Sequence, residues 1–253
     1  MAEFPAVAGG LPVYHFAEIG STNAEALLRA AAGASEQWIV ADRQSSGRGR
    51  RGRYWVSEPG NLYASVLLYD PTTSAMSPQI CFVAALALHD AICDVVPDLE
   101  TDRFKLKWPN DLLLNRSKLA GILVEGASAG ARQAVVIGFG VNTAHHPSGT
   151  PYPVTNLATE GFPVAPQALF ERLAARLMDR LAQWQRGHGF AATRAAWLAR
   201  AHDLGQEIEV RLPERAIAGR FEEIDSDGAL VLALSGGERE LIRAGDVFPA
   251  GIR

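Results

Sequence analysis

Residues Gly47-Arg48-Gly49-Arg50-Arg51-Gly52-Arg53-Tyr54-Trp55 carry the strongest chemical signal in the chain. Five arginines and no acidic residue lie from Arg43 to Arg53, although the 253-residue chain has a formal net charge of -4. The positive charge is therefore local. Guanidinium groups fork onto phosphate oxygens, and the intervening glycines leave the backbone free to close over a ligand. A polyanionic small molecule such as a nucleoside triphosphate suits such a loop. A solvated or nucleic-acid-touching basic loop has the same composition. Gln44 stands just before the loop. Trp55 ends it, and its indole can cover a base or join a core.

Three further segments can do chemistry. Ser21-Thr22-Asn23 offers two hydroxyls and an amide, fit either to bind a small polar head group or to cap a helix. Lys107-Trp108-Pro109-Asn110-Asp111 is followed by Lys118-Leu119-Ala120-Gly121-Ile122-Leu123-Val124-Glu125. Burying either lysine is costly without an anionic partner. Surface lysines with snorkelling stems give the same pattern. Lys118 leads directly into an apolar strand, which favours an inward-facing ammonium. Gly138-Phe139-Gly140-Val141-Asn142 closes another apolar run. Glycines there let a ligand approach the backbone, and Asn142 can contact a nucleotide. No helix-opening glycine follows in register, so this is not a dinucleotide fingerprint.

These segments need a scaffold. Strands are predicted at Val13–Ile19, Trp38–Asp42, Leu62–Tyr69, Phe104–Trp108, Asp111–Leu114, Leu119–Glu125 and Ala134–Val141. Hairpin turns fall at Asn115-Arg116 and Ala129-Gly130. Helices are predicted at Ala24–Ala31, Pro78–Val95, Gln167–Trp184 and Phe190–Ala201, with a Thr22/Glu25 capping box on the first. His145–Pro166 reads as a loop. The fold class is α+β, a mixed sheet packed with helices. After about Leu204 the texture changes to short strands at Glu207–Arg211, Ala216–Ile224, Ala229–Leu234, Glu238–Ile242 and Val247–Phe248. Asp227-Gly228 and Gly236-Gly237 are hairpin signals between them. A catalytic domain over 1–204 and a small all-β barrel over 205–253 follow.

Composition excludes several classes. A hydrophobic share of 48% and a charged share of 21% are those of a soluble globular protein. No signal peptide or membrane span is visible. Cys81 and Cys93 fall in one apolar stretch and read as buried free thiols, consistent with a cytoplasmic location. The sequence pI of about 5.9 argues against bulk nucleic-acid binding.

Taken together, Gly47–Arg53, Lys107–Asp111, Lys118–Glu125 and Gly138–Asn142 closely resemble biotin–protein ligases in order and spacing. The resemblance covers nearly the whole chain. It implies the catalytic fold shared by biotin and lipoate ligases, like that of class II synthetases, plus an SH3-like C-terminal barrel. Larger members carry an N-terminal DNA-binding domain. This sequence starts about a dozen residues before its first strand and resembles the short, non-repressor form, with no DNA or membrane partner expected.

The resemblance implies an activity. Biotin and ATP give biotinyl-5′-adenylate and pyrophosphate; a lysine of a biotin carboxyl carrier domain then attacks the adenylate. Two anions must meet in the first step, so fixed cations are required. By resemblance Lys118 serves the biotin carboxylate and α-phosphate, with Arg48 beside it. Arg50, Arg51, Arg53 and Lys107 lean toward nucleotide phosphates. Ser21, Thr22, Asn23 and Gln44 hold the ureido ring, and Gly47, Arg50 and Gly121 border the biotin slot. Trp55, Asn110 and Asn142 are nucleotide contacts. Asp111 either orients or deprotonates the acceptor amine, or caps a turn. Mg²⁺ is expected with ATP, its protein ligands unassigned. The arginine loop is expected to be disordered without ligand and to order over the adenylate. Monomer and homodimer are both compatible. A lipoate or octanoyl transferase on the same fold is the rival enzyme, and a nucleic-acid-binding protein the rival of another class.

Overall fold

The computed structural model describes residues 3–71, 77–97 and 100–249. Eight strands form one mixed sheet: β1 (Val7–Ala8), β2 (Leu11–Ile19), β3 (Gln37–Gln44), β4 (Leu62–Tyr69), β5 (Phe104–Lys107), β6 (Asp111–Leu114), β7 (Ser117–Ala129) and β8 (Arg132–Val141). Their order is β1-β2-β3-β4-β8-β7-β6-β5. Only β2 and β3 run parallel, because α1 (Thr22–Ala31) supplies the crossover between them.

Each face of the sheet is covered by different helices. α2 (Ser77–Val95), α3 (Pro166–Trp184) and α4 (Phe190–Leu198) enclose the main core on one side. Pro78–Val95 is long and apolar enough to cross a membrane, yet 67% of it is buried inside the protein, as befits a core helix. On the opposite face α1 packs Ala26 and Ala30 against Ile39, Leu67 and Val136. One short helix cannot cover that whole face, and the rest of it remains as a cleft.

Local chemistry accounts for the boundaries. Asn115 and Arg116 both take positive φ, 49° and 63°, which makes the tight β6–β7 turn. The start of α1 differs from the predicted capping box. Ser21 is the N-cap, its Oγ 3.4 Å from the Ala24 amide. Glu25 instead pairs with Arg29 at 2.8 Å, one helical turn on.

The last helix ends at Leu198, short of the predicted Ala201, because the chain there has another use. The Leu106 amide donates to Arg200 O at 2.9 Å, and the His202 amide donates to Leu106 O at 2.7 Å. Residues 200–202 thus clamp onto edge strand β5. Beyond them β9 (Glu207–Arg211), β10 (Ala216–Ile224), β11 (Leu230–Ala233), β12 (Arg239–Ile242) and β13 (Asp246–Pro249) form a second, antiparallel sheet ordered β12-β11-β10-β9-β13. Ile208, Val210, Phe221, Leu230 and Leu232 fill its core. This is the small all-β unit that the punctuated C-terminal sequence implies.

Candidate active site

The cleft opens where α1 stops covering the sheet. Gly121 and Leu123 of β7 pair with Gly140 and Gly138 of β8, and Gly138 pairs with Ser65 of β4. The two-residue period of the strands turns all of these to the same face. Gly121, Leu123, Gly138 and Gly140 floor the cleft. Ser21, Thr22, Asn23, Gln44, Arg48, Arg50, Arg53, Trp55, Asn110, Asp111, Lys118 and Gly121, separated by up to 100 positions in the chain, all line it.

Its closed end is a locked polar network at the N-terminus of α1. Thr22 N and Oγ1 lie 2.8 and 3.1 Å from Gln44 Oε1. Gln44 Nε2 donates to Ser57 Oγ at 3.0 Å. The Ser65 hydroxyl sits 2.7 Å from Thr22 Oγ1 and 2.6 Å from Asn23 Oδ1. Asn23 Nδ2 donates to Leu123 O at 3.2 Å and to Glu125 Oε2 at 2.8 Å. Each group is buried and fixed by its neighbours, which preorganises this end for a small polar ring. Asn23 reaches over β8 only because residue 138 is glycine: a Cβ there would stand 2.0 Å from Asn23 Oδ1.

The open end is cationic. The arginine loop is a small hairpin, with Arg48 bridged to Tyr54 and Arg51 at a positive φ of 55° at its tip. Arg48 lies 3.4 Å from Glu125. Arg50 donates to Asn110 Oδ1 at 2.9 Å and to Gly245 O at 3.3 Å. Arg51 meets Asp246 at 3.2 Å, and Arg53 meets the same carboxylate oxygen closely. Lys118 Nζ is 2.7 Å from Asp111 Oδ1. That ammonium also lies between two aromatic faces, 5.4 Å from the Trp55 ring and 5.7 Å from the Tyr152 ring. Tyr152 is brought there because Lys118 N and O pair with Pro153 O and Thr155 N, at 2.9 and 3.0 Å.

Between the two ends lies Trp55. Its indole rests on the glycine floor, where a Cβ at Gly140 would be 2.7 Å from the ring and one at Gly121 would be 3.1 Å away. The indole thus walls the apolar slot itself, and its Nε1 is buried without a hydrogen-bond partner.

Four expected residues stand outside this lining. Gly47 supports the loop from beneath, tight against Trp55 O and Ser57. Arg51 points to Asp246. Lys107 lines an adjoining cavity, 5.5 Å from the Phe248 ring, and burial holds its ammonium below the usual lysine range. Asn142 is 3% exposed, and its Nδ2 donates to Thr155 O at 3.1 Å. That bond orders the following loop.

Sequence reasoning missed Ser65, Tyr152 and Asp246, and gave Glu125 no role. Ser65 is a polar residue in an otherwise apolar strand, a signal that was available. Tyr152 and Asp246 sat in a loop and a short strand with no pattern to mark them.

A phosphate-ready cationic rim over a buried polar end, built on a mixed sheet, defines a ligase-type catalytic cleft. Residues 15–142 match the biotin/lipoate A/B protein ligase family, and residues 203–248 match the biotin protein ligase C-terminal domain. The chain belongs to this family. It is 41% identical to a biotin–[acetyl-CoA-carboxylase] ligase of Paracoccus denitrificans, over 93% of this chain and 99% of that one. It is 36% identical to the ligase of the same name from Mycobacterium tuberculosis, over 91% of this chain and 86% of the relative. Its fold is similar to that of the Aquifex aeolicus biotin protein ligase solved with biotin and ATP, with a TM-score of 0.80, 24% identity, and 93% and 97% of the two chains covered.

Proposed function

We propose that this chain is a biotin–protein ligase that activates biotin with ATP and transfers it to a lysine of a carboxylase carrier domain. One observation carries the reading: a single cleft runs from a fixed polar end, over a glycine floor, to Arg48, Arg50, Arg53 and Lys118. That is the order of groups in biotin, which has a polar ureido ring, an apolar chain and a carboxylate that must meet a phosphate. The near-full-length likeness to two biotin–[acetyl-CoA-carboxylase] ligases supports the same substrate and partner.

Thr22, Asn23 and Gln44 receive the ureido ring, with Ser21 at its margin and Ser65 holding Thr22 and Asn23 in place. Trp55 walls the slot over Gly121 and Gly140, facing the nucleotide on its other side. Lys118 and Arg48 offset the charge between carboxylate and α-phosphate. Arg50 and Arg53, with Arg51 behind them, face the departing phosphates, and Asn110 fixes Arg50. Lys107 adds to the field from the adjoining cavity. Asp111, held beside Lys118, accepts the proton that the acceptor amine sheds in the second step. Mg²⁺ arrives on the triphosphate; among the described residues no group of three or more His, Cys, Asp or Glu side chains gathers to hold a metal. The catalytic domain spans 1–204 and the barrel 205–253, their outermost residues lying outside the described ones. Action in the cytoplasm follows from the carrier it serves.

Biotin-dependent ATP–pyrophosphate exchange tests the reading. Wild type should exchange, and Lys118→Ala should lose about a hundredfold or more. Exchange with lipoate or octanoate but not biotin would move the chain to the other branch of its family.

A further inference from the structure

Glu125 is not among the residues that line the cleft, yet it contacts two that are. It follows Gly121 and Leu123 on β7 at the two-residue period and so shares their face. Its side chain is 28% exposed. Asn23 Nδ2 donates to Glu125 Oε2 at 2.8 Å, and Arg48 lies 3.4 Å from the same oxygen. Arg48, half-exposed and at the longer distance, is the lesser partner. A carboxamide has two N–H donors and one carbonyl oxygen. Asn23 spends both donors, one on Glu125 and one on Leu123 O at 3.2 Å. The reverse orientation would set Asn23 Oδ1 against a carboxylate and a carbonyl, neither of which has a proton to give. The carboxamide oxygen is therefore turned to Ser65, whose hydroxyl donates to it at 2.6 Å. One lone pair of that oxygen is left for a ligand, and no N–H is.

We propose that Glu125 is the positioning residue that makes Asn23 an obligatory acceptor, so that the closed end of the cleft selects a ring bearing N–H donors. The inference rests on the biotin-ligase reading and deepens it. A ureido ring has two N–H groups, whereas the dithiolane of lipoate and the alkyl end of octanoate have none. Without Glu125 the second amide proton of Asn23 is idle, and the carboxamide can turn over at little cost. An N–H then faces the N–H of the ring, and both are left unpaired in a buried site. A buried group built to accept one hydrogen bond also rejects acids that lack the donor. Glu125 thus acts on the substrate through Asn23 and does not touch it.

Biotin-dependent pyrophosphate exchange tests this in two variants. Glu125→Leu removes the acceptor at similar bulk, and Glu125→Gln drops the charge but keeps an acceptor oxygen. Biotin KM should rise about tenfold or more in Glu125→Leu and stay within about threefold of wild type in Glu125→Gln, with ATP KM within about twofold in both. Glu125→Ala is read in the same way where the leucine is not accommodated. The route is tested on an Asn23→Ala background, where adding Glu125→Leu should raise biotin KM by less than about twofold more, because the group it orients is gone. An unchanged biotin KM in Glu125→Leu, or a full further rise on the Asn23→Ala background, overturns the inference. Glu125→Gln as impaired as Glu125→Leu, or an equal rise in ATP KM, assigns Glu125 to Arg48 and overturns it as well. A wild type that exchanges with lipoate or octanoate and not with biotin strikes the ligase reading itself. An insensitive Glu125 beside normal wild-type exchange strikes this inference alone.

Discussion

Lys118 Nζ stands 2.7 Å from Asp111 Oδ1, in a contact too poorly aligned to count as a hydrogen bond. The pair is side by side across β6 and β7, each about four-fifths buried. The two groups serve different half-reactions: the cation is needed when adenylate forms and the carboxylate when it is consumed. Asp111→Asn should therefore leave biotin-dependent exchange within a few-fold of wild type and cut carrier transfer by about 10² or more. Single-turnover transfer from preformed adenylate measures the second step directly. Equal loss in both steps would make Asp111 a partner of Lys118 only.

Asp246 accepts two guanidinium groups from the arginine hairpin, although it belongs to the C-terminal sheet. Partly exposed pairs of this kind contribute up to about 1 kcal/mol each. Asp246→Ala should raise tryptic cleavage at Arg50–Arg53 by up to about fivefold in the free protein. Biotin with ATP should then protect wild type and variant alike. Equal cleavage of wild type with and without both ligands would remove the loop from any closing role.

Gly138 is where β8 makes room for Asn23. Gly138→Ala must push the carboxamide off Leu123 O and Ser65, at a cost of roughly 1–3 kcal/mol from overpacking. Biotin KM should rise about tenfold or more while ATP KM changes little. Comparable rises in both would place the ureido ring elsewhere.

His89 is 3% exposed and stacked on Phe104 at 4.7 Å. Burial holds its imidazole below the ordinary range, only partly opposed by Asp90 at 3.7 Å. Arg180 and Arg200, which also face Asp90, push in the same direction as burial. An unfolded histidine takes up its proton near pH 6.5, whereas this one does not when folded. Stability contributed this way is present above about pH 6.5 and is lost as pH falls below it. Burial lowers His202 too, so it adds to the same window. Denaturant midpoints at pH 7.5 and 5.5 should differ less in His89→Phe than in wild type. An unchanged difference would show that His89 titrates normally.

The strands and helices were legible because their signals are periodic and local. Asp111–Leu114 and Leu62–Tyr69 came out to the residue, since alternation or continuous burial marks both ends. The cleft was legible wherever a motif concentrates unusual residues, as in the arginine hairpin and Lys118–Glu125. What escaped is what long-range packing decides. Asp246 meets arginines 193 and 195 positions away, and no local pattern announces that. Asn142 was expected as a nucleotide contact by resemblance, and the bond from its amide to the buried carbonyl of Thr155 was not legible in the sequence. The capping box failed for a similar reason: Arg29 offered Glu25 a charged partner one turn away.

The clamp of residues 200–202 on β5 has a consequence for self-association. Leu106 commits both its amide and its carbonyl to that segment, so the ladder at this rim is already occupied. A stray strand, or a second copy, finds no template there to extend. Among the described residues the opposite rim, formed by two-residue β1 with Val7 60% exposed and by the part of β2 beyond Pro12, still offers a lateral surface. The segment that tethers the barrel therefore also leaves the large sheet one open rim, and strand addition to that sheet has one direction to take.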